Sequence, residues 1–600
     1  MAFYYNPLDK RFKSVIGAVK ENEEFSVRVI TDGTSCILTI KNDDGGITDY
    51  RLENNGDGSF LLPVSLKKGL YFYRFNVDGV NYFKGKDFNA EATGDNGEWY
   101  QLLVYDADYK TPEWLSGGVI YQIFPDRFCK AGNPAARKNY GSLKAWGEMP
   151  EFKPDKNGKI LNDDFFCGNL KGIESKLSYL KELNVNAIYL NPITLSHSNH
   201  RYDTSDYFKI DDYLGTDEDF ASLCRSAAKL GISVIIDGVY NHTGDDSVYF
   251  NKYNRFPSVG AYQSKKSKYY NWYTFEKFPD KYACWWGIDV LPTINKNSFE
   301  FEDFIAGENG VLEHYLKLGA NGVRLDVVDE LPPDFVKKIR TRVKAVKPDA
   351  VIIGEVWEDA TNKIAYGKRR KYFQGSQLDS VMNYPLKNAI IGYLKEKNAD
   401  ILKQTVENQL NNYPESALRI LMNILGTHDT PRVLTVLGRD KEPTSRDEAA
   451  KSILTAAERE KATALLKLAV VLQFTLYGVP SVYYGDEEGM EGEKDPFNRK
   501  CFDWNNADKD VYDFYKKISS IRLSYNVFKN GETKILLSEG GVFIFERRME
   551  NSVITVAVNA GEYVYEISSN ETLYNPFSGS CGNKFELEKN TFLILTWHNA

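Results

Sequence analysis

The stretch Gly322-Val323-Arg324-Leu325-Asp326-Val327-Val328-Asp329-Glu330 sets a guanidinium and a carboxylate two positions apart in an apolar run. A strand turns alternate side chains to one face, so Arg324 and Asp326 emerge side by side. An arginine that close holds a carboxylate ionised, the state an attacking carboxylate needs at neutral pH. A structural ion pair at the end of a buried strand has the same signature, so the rest of the chain must decide. Three more apolar runs end on reactive residues. Ile235-Ile236 leads to Asp237, Asn241 and His242, Ile352-Ile353-Gly354 to Glu355 and Trp357, and Leu425-Gly426-Thr427 to His428 and Asp429. Asp237 alone reads equally well as a structural cap. Asp326, Glu355 and Asp429 together with Arg324 read as chemistry: two carboxyl groups flanking a sugar C–O bond are the least that glycoside hydrolysis requires. Asp326 would attack the anomeric carbon. Glu355, after an apolar run and near other carboxylates, would carry the proton. Asp429 with His428 would hold the ring hydroxyls and strain the ring.

Such residues need a scaffold that brings strand ends to one rim. Runs at 120–124, 185–190, 232–237, 322–326, 350–355, 380–382, 420–425 and 479–484 alternate with amphipathic helical stretches at 220–230, 311–318 and 335–346. Eight such strands close a (β/α)8 TIM barrel, whose chemistry sits at the strands' carboxyl ends. The expected organisation is an N-terminal β-sandwich over 1–112, the barrel over 113–525 and a C-terminal β-sandwich over 526–600. The barrel would carry an inserted lobe after strand 3, at about 243–298, too long and aromatic for an ordinary βα loop. The polar stretch 438–461 reads as a loop running into a helix.

Composition narrows the class. A formal net charge of −8 and the lack of a long basic run argue against nucleic acid as partner. No stretch is long and apolar enough to span a membrane. The N-terminus lacks an export signal, and seven scattered cysteines without CxxC spacing suit reduced thiols. The expected location is the cytoplasm.

Beyond this chemistry, the chain resembles the α-amylase family of glycoside hydrolases over essentially its full length. The matching motifs are Asp237-Gly-Val-Tyr-Asn241-His242, Gly322-Val-Arg324-Leu-Asp326, Gly354-Glu355-Val-Trp357 and His428-Asp429. The resemblance implies Asp326 as nucleophile, Glu355 as acid/base and Asp429 as transition-state stabiliser. Arg324, His242 and His428 would bind the sugar at the cleavage point, and Tyr202 in His200-Arg-Tyr202-Asp203 would stack on it. Within the family the chain is most similar to the neopullulanase, cyclomaltodextrinase and maltogenic amylase group. Leu291-Pro-Thr-Ile-Asn295 is related to that group's lobe motif, and in Asp495-Pro-Phe-Asn-Arg499 the residues Asp495 and Arg499 would hold the non-reducing end. Trp357 would line the substrate cleft. Glu330 lies on the acceptor side, preceded by Asp329 where the group usually has Asn.

The implied substrate is an α-glucan oligosaccharide, cut at α-1,4 and possibly α-1,6 bonds, with transglycosylation open. An α-glucosidase or debranching enzyme on the same scaffold is the alternative, and a catalytically dead glycan-binding barrel a more distant one. The resemblance also implies homodimers through the N-terminal module, and short imported glucans as substrates rather than raw starch. The group often holds a structural calcium in the loop after Phe124-Pro125-Asp126-Arg127-Phe128. Here that loop offers only Asn133 as a side-chain oxygen, amid Lys130, Arg137 and Lys138, and the completing turn reads Cys167-Gly168-Asn169. Calcium takes about six to eight oxygens, with carboxylates supplying most of the charge, so no cofactor is expected there. Calcium held through Asn241 and lobe carboxylates is the alternative.

Overall fold

Eight short parallel strands form the centre of the computed structural model, which describes residues 2–132 and 141–597. They are β1 (Ile120–Ile123), β2 (Ala187–Leu190), β3 (Ser233–Gly238), β4 (Gly322–Leu325), β5 (Val351–Gly354), β6 (Ser380–Val381), β7 (Met422–Ile424) and β8 (Val479–Tyr483). They pair in the order β6-β5-β4-β3-β2-β1-β8-β7, and a parallel bridge between Met382 and Met422 closes the ring. The period of two is legible in the packing. Ile120, Ala187, Tyr189, Ile235, Val351 and Ile353 cluster inside the barrel, while Tyr121, Ile188, Ile236, Val323 and Ile352 join the outer core under the helices. Continuing the inner row along each strand reaches Gln122, Asn191, Asp237, Arg324, Asp326 and Glu355. Alternation alone thus aims those polar side chains into the mouth.

Helices on the outside hold the strands in place. Asp217–Lys229 starts at a Thr216–Asp219 capping box and leads to β3. Val311–Leu318 ends at Gly319, where φ is +127° and a Cβ would meet the Cys224 Cβ at 2.6 Å. The stretch 438–461 is more ordered than its polarity suggests. It carries a helical turn, Arg446–Ala450, and a capping box at Thr455–Glu458 starts the helix Ala456–Thr475.

Between β3 and the helix Phe299–Ala306, the inserted lobe is pinned to the rim by a bridge from His242 to Thr293, and a bridge from Tyr273 to Ile294 ties it internally. It is held by aromatic edges: Phe250 meets Tyr273 at 4.8 Å, and Trp272 meets Phe301 at 5.1 Å. The N-terminal module is a sandwich of a four-stranded and a seven-stranded sheet, with Val27, Val29 and Phe60 of one facing Leu38, Phe75 and Leu102 of the other. At the C-terminus the six strands make one continuous antiparallel sheet rather than two separate ladders. The sheet doubles over. Phe543, Phe545 and Val556 face the barrel core, while Val542, Ile544 and Ala557 pack with Leu587 and Ile567 in a second layer.

Candidate active site

Arg324 is the centre of charge at the barrel mouth. Its Nη1 lies 2.9 Å from both Asp237 Oδ1 and Asp326 Oδ1, and its Nη2 lies 2.7 Å from Glu355 Oε2. All four side chains are buried or nearly so. One guanidinium therefore serves three carboxylates on adjacent strands. This corrects the expectation that Arg324 simply holds Asp326 ionised. In the free site, burial first, then the Glu355, Asp237 and Asp429 carboxylates, push the Asp326 carboxyl well above its ordinary value against the pull of Arg324. Asp237, which the sequence left as a possible cap, is part of the cluster. Burial raises its carboxyl too, although the hydroxyls of Tyr189 and Tyr202 donate to its Oδ2 at 2.6 and 2.7 Å.

Glu355 is oriented by both of its oxygens. Its Oε2 accepts from the Val327 N–H at 2.9 Å and its Oε1 from Trp357 Nε1 at 3.0 Å. Val327 has φ 34° and ψ 60°, a left-handed conformation that a β-branched residue adopts only under constraint. That twist turns the chain directly after the amide that donates to Glu355. Asn241 Nδ2 reaches Asp326 Oδ2 at 3.3 Å.

His428 closes the opposite side. Its Nδ1 accepts from Gln122 Nε2 at 2.9 Å and Asn191 Nδ2 at 3.1 Å. The ring proton therefore sits on Nε2, facing Tyr202 Oη at 2.7 Å and Asp429 Oδ2 at 3.0 Å. Burial, with Arg499 and Arg324 nearby, pushes this imidazole well below its ordinary value and keeps it neutral. The rings of Tyr202 and His428 stack at 5.1 Å and 9°. Asp429 keeps 45% of its side chain open to the cleft. Its depth, then Glu355, raise its carboxyl to about 7, a shift that water at its open face tempers. Arg499 lies 3.6 Å from Asp429 and 3.0 Å from Asp495, and its Nε donates to the His428 carbonyl at 2.9 Å. His242 is neutral as well, lowered to about 4 by burial. Its Nε2–H donates to the Tyr202 carbonyl at 3.1 Å, its Nδ1 lies against Asn241 Oδ1, and the ring stacks on Trp285 at 5.4 Å.

The structure so brings together Tyr202, His242, Arg324, Asp326, Glu355, Trp357, His428, Asp429, Asp495 and Arg499. Glu330 stands apart, held by the Tyr366 hydroxyl and by Lys296 at 3.1 Å. Asp329 turns away to Tyr372 at 2.6 Å and Lys363 at 3.3 Å. Gln122, Tyr189 and Asn191 were not singled out as site residues, although a glutamine inside the apolar run Ile120–Phe124 marks the first and a polar residue directly after Val185–Leu190 marks the last. Trp286 was missed too: it stacks on Trp285 at 4.8 Å and meets Trp357 edge-on at 6.1 Å. The Trp285-Trp286 doublet in the lobe was its only signature.

The family description "Alpha amylase, catalytic domain" matches residues 122–520. An amylopullulanase of Thermoanaerobacter thermohydrosulfuricus is 36% identical over 642 residues, covering 93% of this chain and 42% of that protein. The chain thus spans less than half the length of that relative. A cyclomaltodextrinase of Thermoanaerobacter pseudethanolicus is 34% identical over 513 residues, covering 82% of this chain and 79% of its own. The type III pullulan hydrolase of Thermococcus kodakarensis superposes with a TM-score of 0.71 at 25% identity, covering 99% of this chain and all of that one.

Proposed function

From the premise that the chain belongs to the α-amylase family, we propose that it is a retaining α-glucan hydrolase acting on short or cyclic maltooligosaccharides and pullulan. The observation that carries the reading is the guanidinium of Arg324 shared by Asp326 and Glu355 at the ends of neighbouring strands. Asp326 attacks the anomeric carbon while Glu355 gives its proton to the departing glycosidic oxygen. Water, deprotonated by Glu355, then releases the sugar from Asp326. Asp429, Arg499 and the neutral His428 hold ring hydroxyls on the donor side. Tyr202, locked on His428 and Asp237, presents its ring face to the same sugar.

The names of the relatives, cyclomaltodextrinase and amylopullulanase, support α-1,4 cleavage with α-1,6 as a second linkage. A product profile on maltotriose, α-cyclodextrin and pullulan tests this. Release of short maltooligosaccharides from all three is expected, and inertness towards all three overturns it. The enzyme is proposed to work in the cytoplasm on short glucans. Among the described residues no helix is long and apolar enough to cross a membrane, and the seven cysteines are free. It is proposed to dimerise through the N-terminal module, which exposes Tyr4 and Ile47; light scattering after gel filtration would give the mass.

The family's calcium does not fit the residues that are described. The Asn169 amide is already engaged, with Oδ1 accepting from Gly172 as a helix cap and Nδ2 donating to the Ala131 carbonyl at 2.8 Å. The Asp126 carboxylate binds Arg127 at 2.8 Å and the Phe166 and Cys167 amides. Asn133, Arg137 and Lys138 lie outside the described residues. We propose that this site holds no ion, so melting and activity should be unchanged by EDTA. A drop of many degrees, reversed by calcium, would contradict this.

A further inference from the structure

Gln101, on the module strand Tyr100–Tyr105, reaches across to the loop that follows Glu355 and Trp357. Its Nε2 donates to Thr361 Oγ1 at 2.8 Å, and its Oε1 accepts from Asn362 Nδ2 at 2.6 Å. Thr361 Oγ1 in turn donates to Asp359 Oδ1 at 2.6 Å, while Asp359 Oδ2 accepts from Asn412 Nδ2 at 2.7 Å. The direction of the chain is fixed. The hydroxyl proton of Thr361 is committed to Asp359, so residue 101 must donate there, and it must also accept from Asn362. A side-chain amide does both at once; a carboxylate or a thioether of the same length cannot.

Gln101, Thr361 and Asn412 are buried, so the bonds among these groups are shielded from water. Gln101, Asp359, Asn362 and Asn412 line a cavity of about 1120 Å³ between module and barrel. Asp359 and Asn362 border that space, so side-chain hydrogen bonds hold this edge of the loop, alongside the buried Ala360, whose amide donates to Tyr413 Oη at 3.1 Å. Upstream, the same loop carries Trp357, whose indole N–H orients Glu355.

We infer that Gln101 is a positioning residue for the acid/base, and that the N-terminal module takes part in the reaction by setting the loop of Glu355 and Trp357. The inference rests on the reading of Glu355 as general acid. Protonation matters in proportion to how poor the leaving group is, so an alcohol leaving group feels a misplaced acid and fluoride hardly does.

The test compares kcat/KM, which reports the first bond cleavage, on maltotriose and on α-maltosyl fluoride. In Gln101→Met, maltotriose should lose about tenfold, a part of the roughly 10²–10⁴ that an acid contributes, and the fluoride less than about twofold. Thr361→Val should match it, the double variant should be no worse than either single one, and Thr361→Ser should keep the wild-type ratio. Equal losses on both substrates would mean a merely structural role and overturn the inference, as would no loss on either. Should Gln101→Met not fold, Thr361→Val on the barrel side gives the same reading. Wild-type chain inert towards both substrates would instead overturn the glycosidase reading beneath it.

Discussion

On the side of His428 and Asp429 the cleft wall is a lattice of buried polar groups, while on the side of Trp286, Trp357 and Tyr366 it is open aromatic surface. Tyr202, His428, Gln122 and Asn191 fix one another through at least four hydrogen bonds, and Arg499 ties Asp429 to Asp495. Opposite them, Trp286, Trp357 and Tyr366 leave 62%, 45% and 63% of their surface exposed. The first wall has few ways to rearrange, because any shift orphans a buried polar group. On the second, Trp357 is tied to Glu355 by its indole N–H, whereas Trp286 can turn at little cost. In the proposed reaction, bond-breaking geometry thus resides in the lattice and in the Glu355 that Trp357 holds, and the choice of glucan in Trp286 of the lobe and in Tyr366.

The largest effect should come from removing the pair that joins the two walls. Asp326→Ala and Glu355→Gln should each lower kcat by several orders of magnitude on every substrate while the chain still folds, since neither step has a bypass. A variant retaining a tenth of wild-type activity would remove that residue from its role. A smaller and selective effect should follow on the aromatic side. Trp286→Ala should change the ratio of kcat/KM between α-cyclodextrin and maltotriose by about tenfold, within the roughly 1–3 kcal/mol that apolar contacts discriminate. It should leave the anomeric outcome untouched. An unchanged ratio would show that the lobe does not select.

The smallest effect concerns stability. Asp429 is raised to about 7 in the folded chain from about 3.9 unfolded, so the native state binds more proton between those values. Its contribution is fully present below pH 4 and is lost as pH rises through 7. Asp429→Asn should therefore melt higher than wild type, by a margin that grows between pH 4 and 7 and levels off above. Thermal melts across that range measure it, and a margin that shrinks with pH would contradict the sign.

Much of this was legible because a barrel writes itself twice. Apolar runs count the strands, and the polar residue that ends each run lies on the inner parity, as Asp326 and Glu355 do. Asp237 sits on that parity too. Yet one strand cannot reveal that its partner is an arginine two residues before Asp326 on the next strand. The sharing of Arg324 among three carboxylates is a property of register, not of any motif, and burial outweighs its pull on the Asp326 carboxyl. Gln101 was illegible for a similar reason: its partner Thr361 is 260 residues away, and the bond exists only because module and barrel dock. The continuous C-terminal sheet went unread because strand signals do not say which ladders join.

The central claim is that Asp326 and Glu355, sharing Arg324, work by double displacement. The most direct test follows the anomeric proton of the first product by NMR during the opening of α-cyclodextrin or the cleavage of maltotriose. Two inversions predict that the α-anomer accumulates first and only then mutarotates towards equilibrium. Early accumulation of the β-anomer would mean that water, not Asp326, attacks the sugar, and the account would fail at its centre.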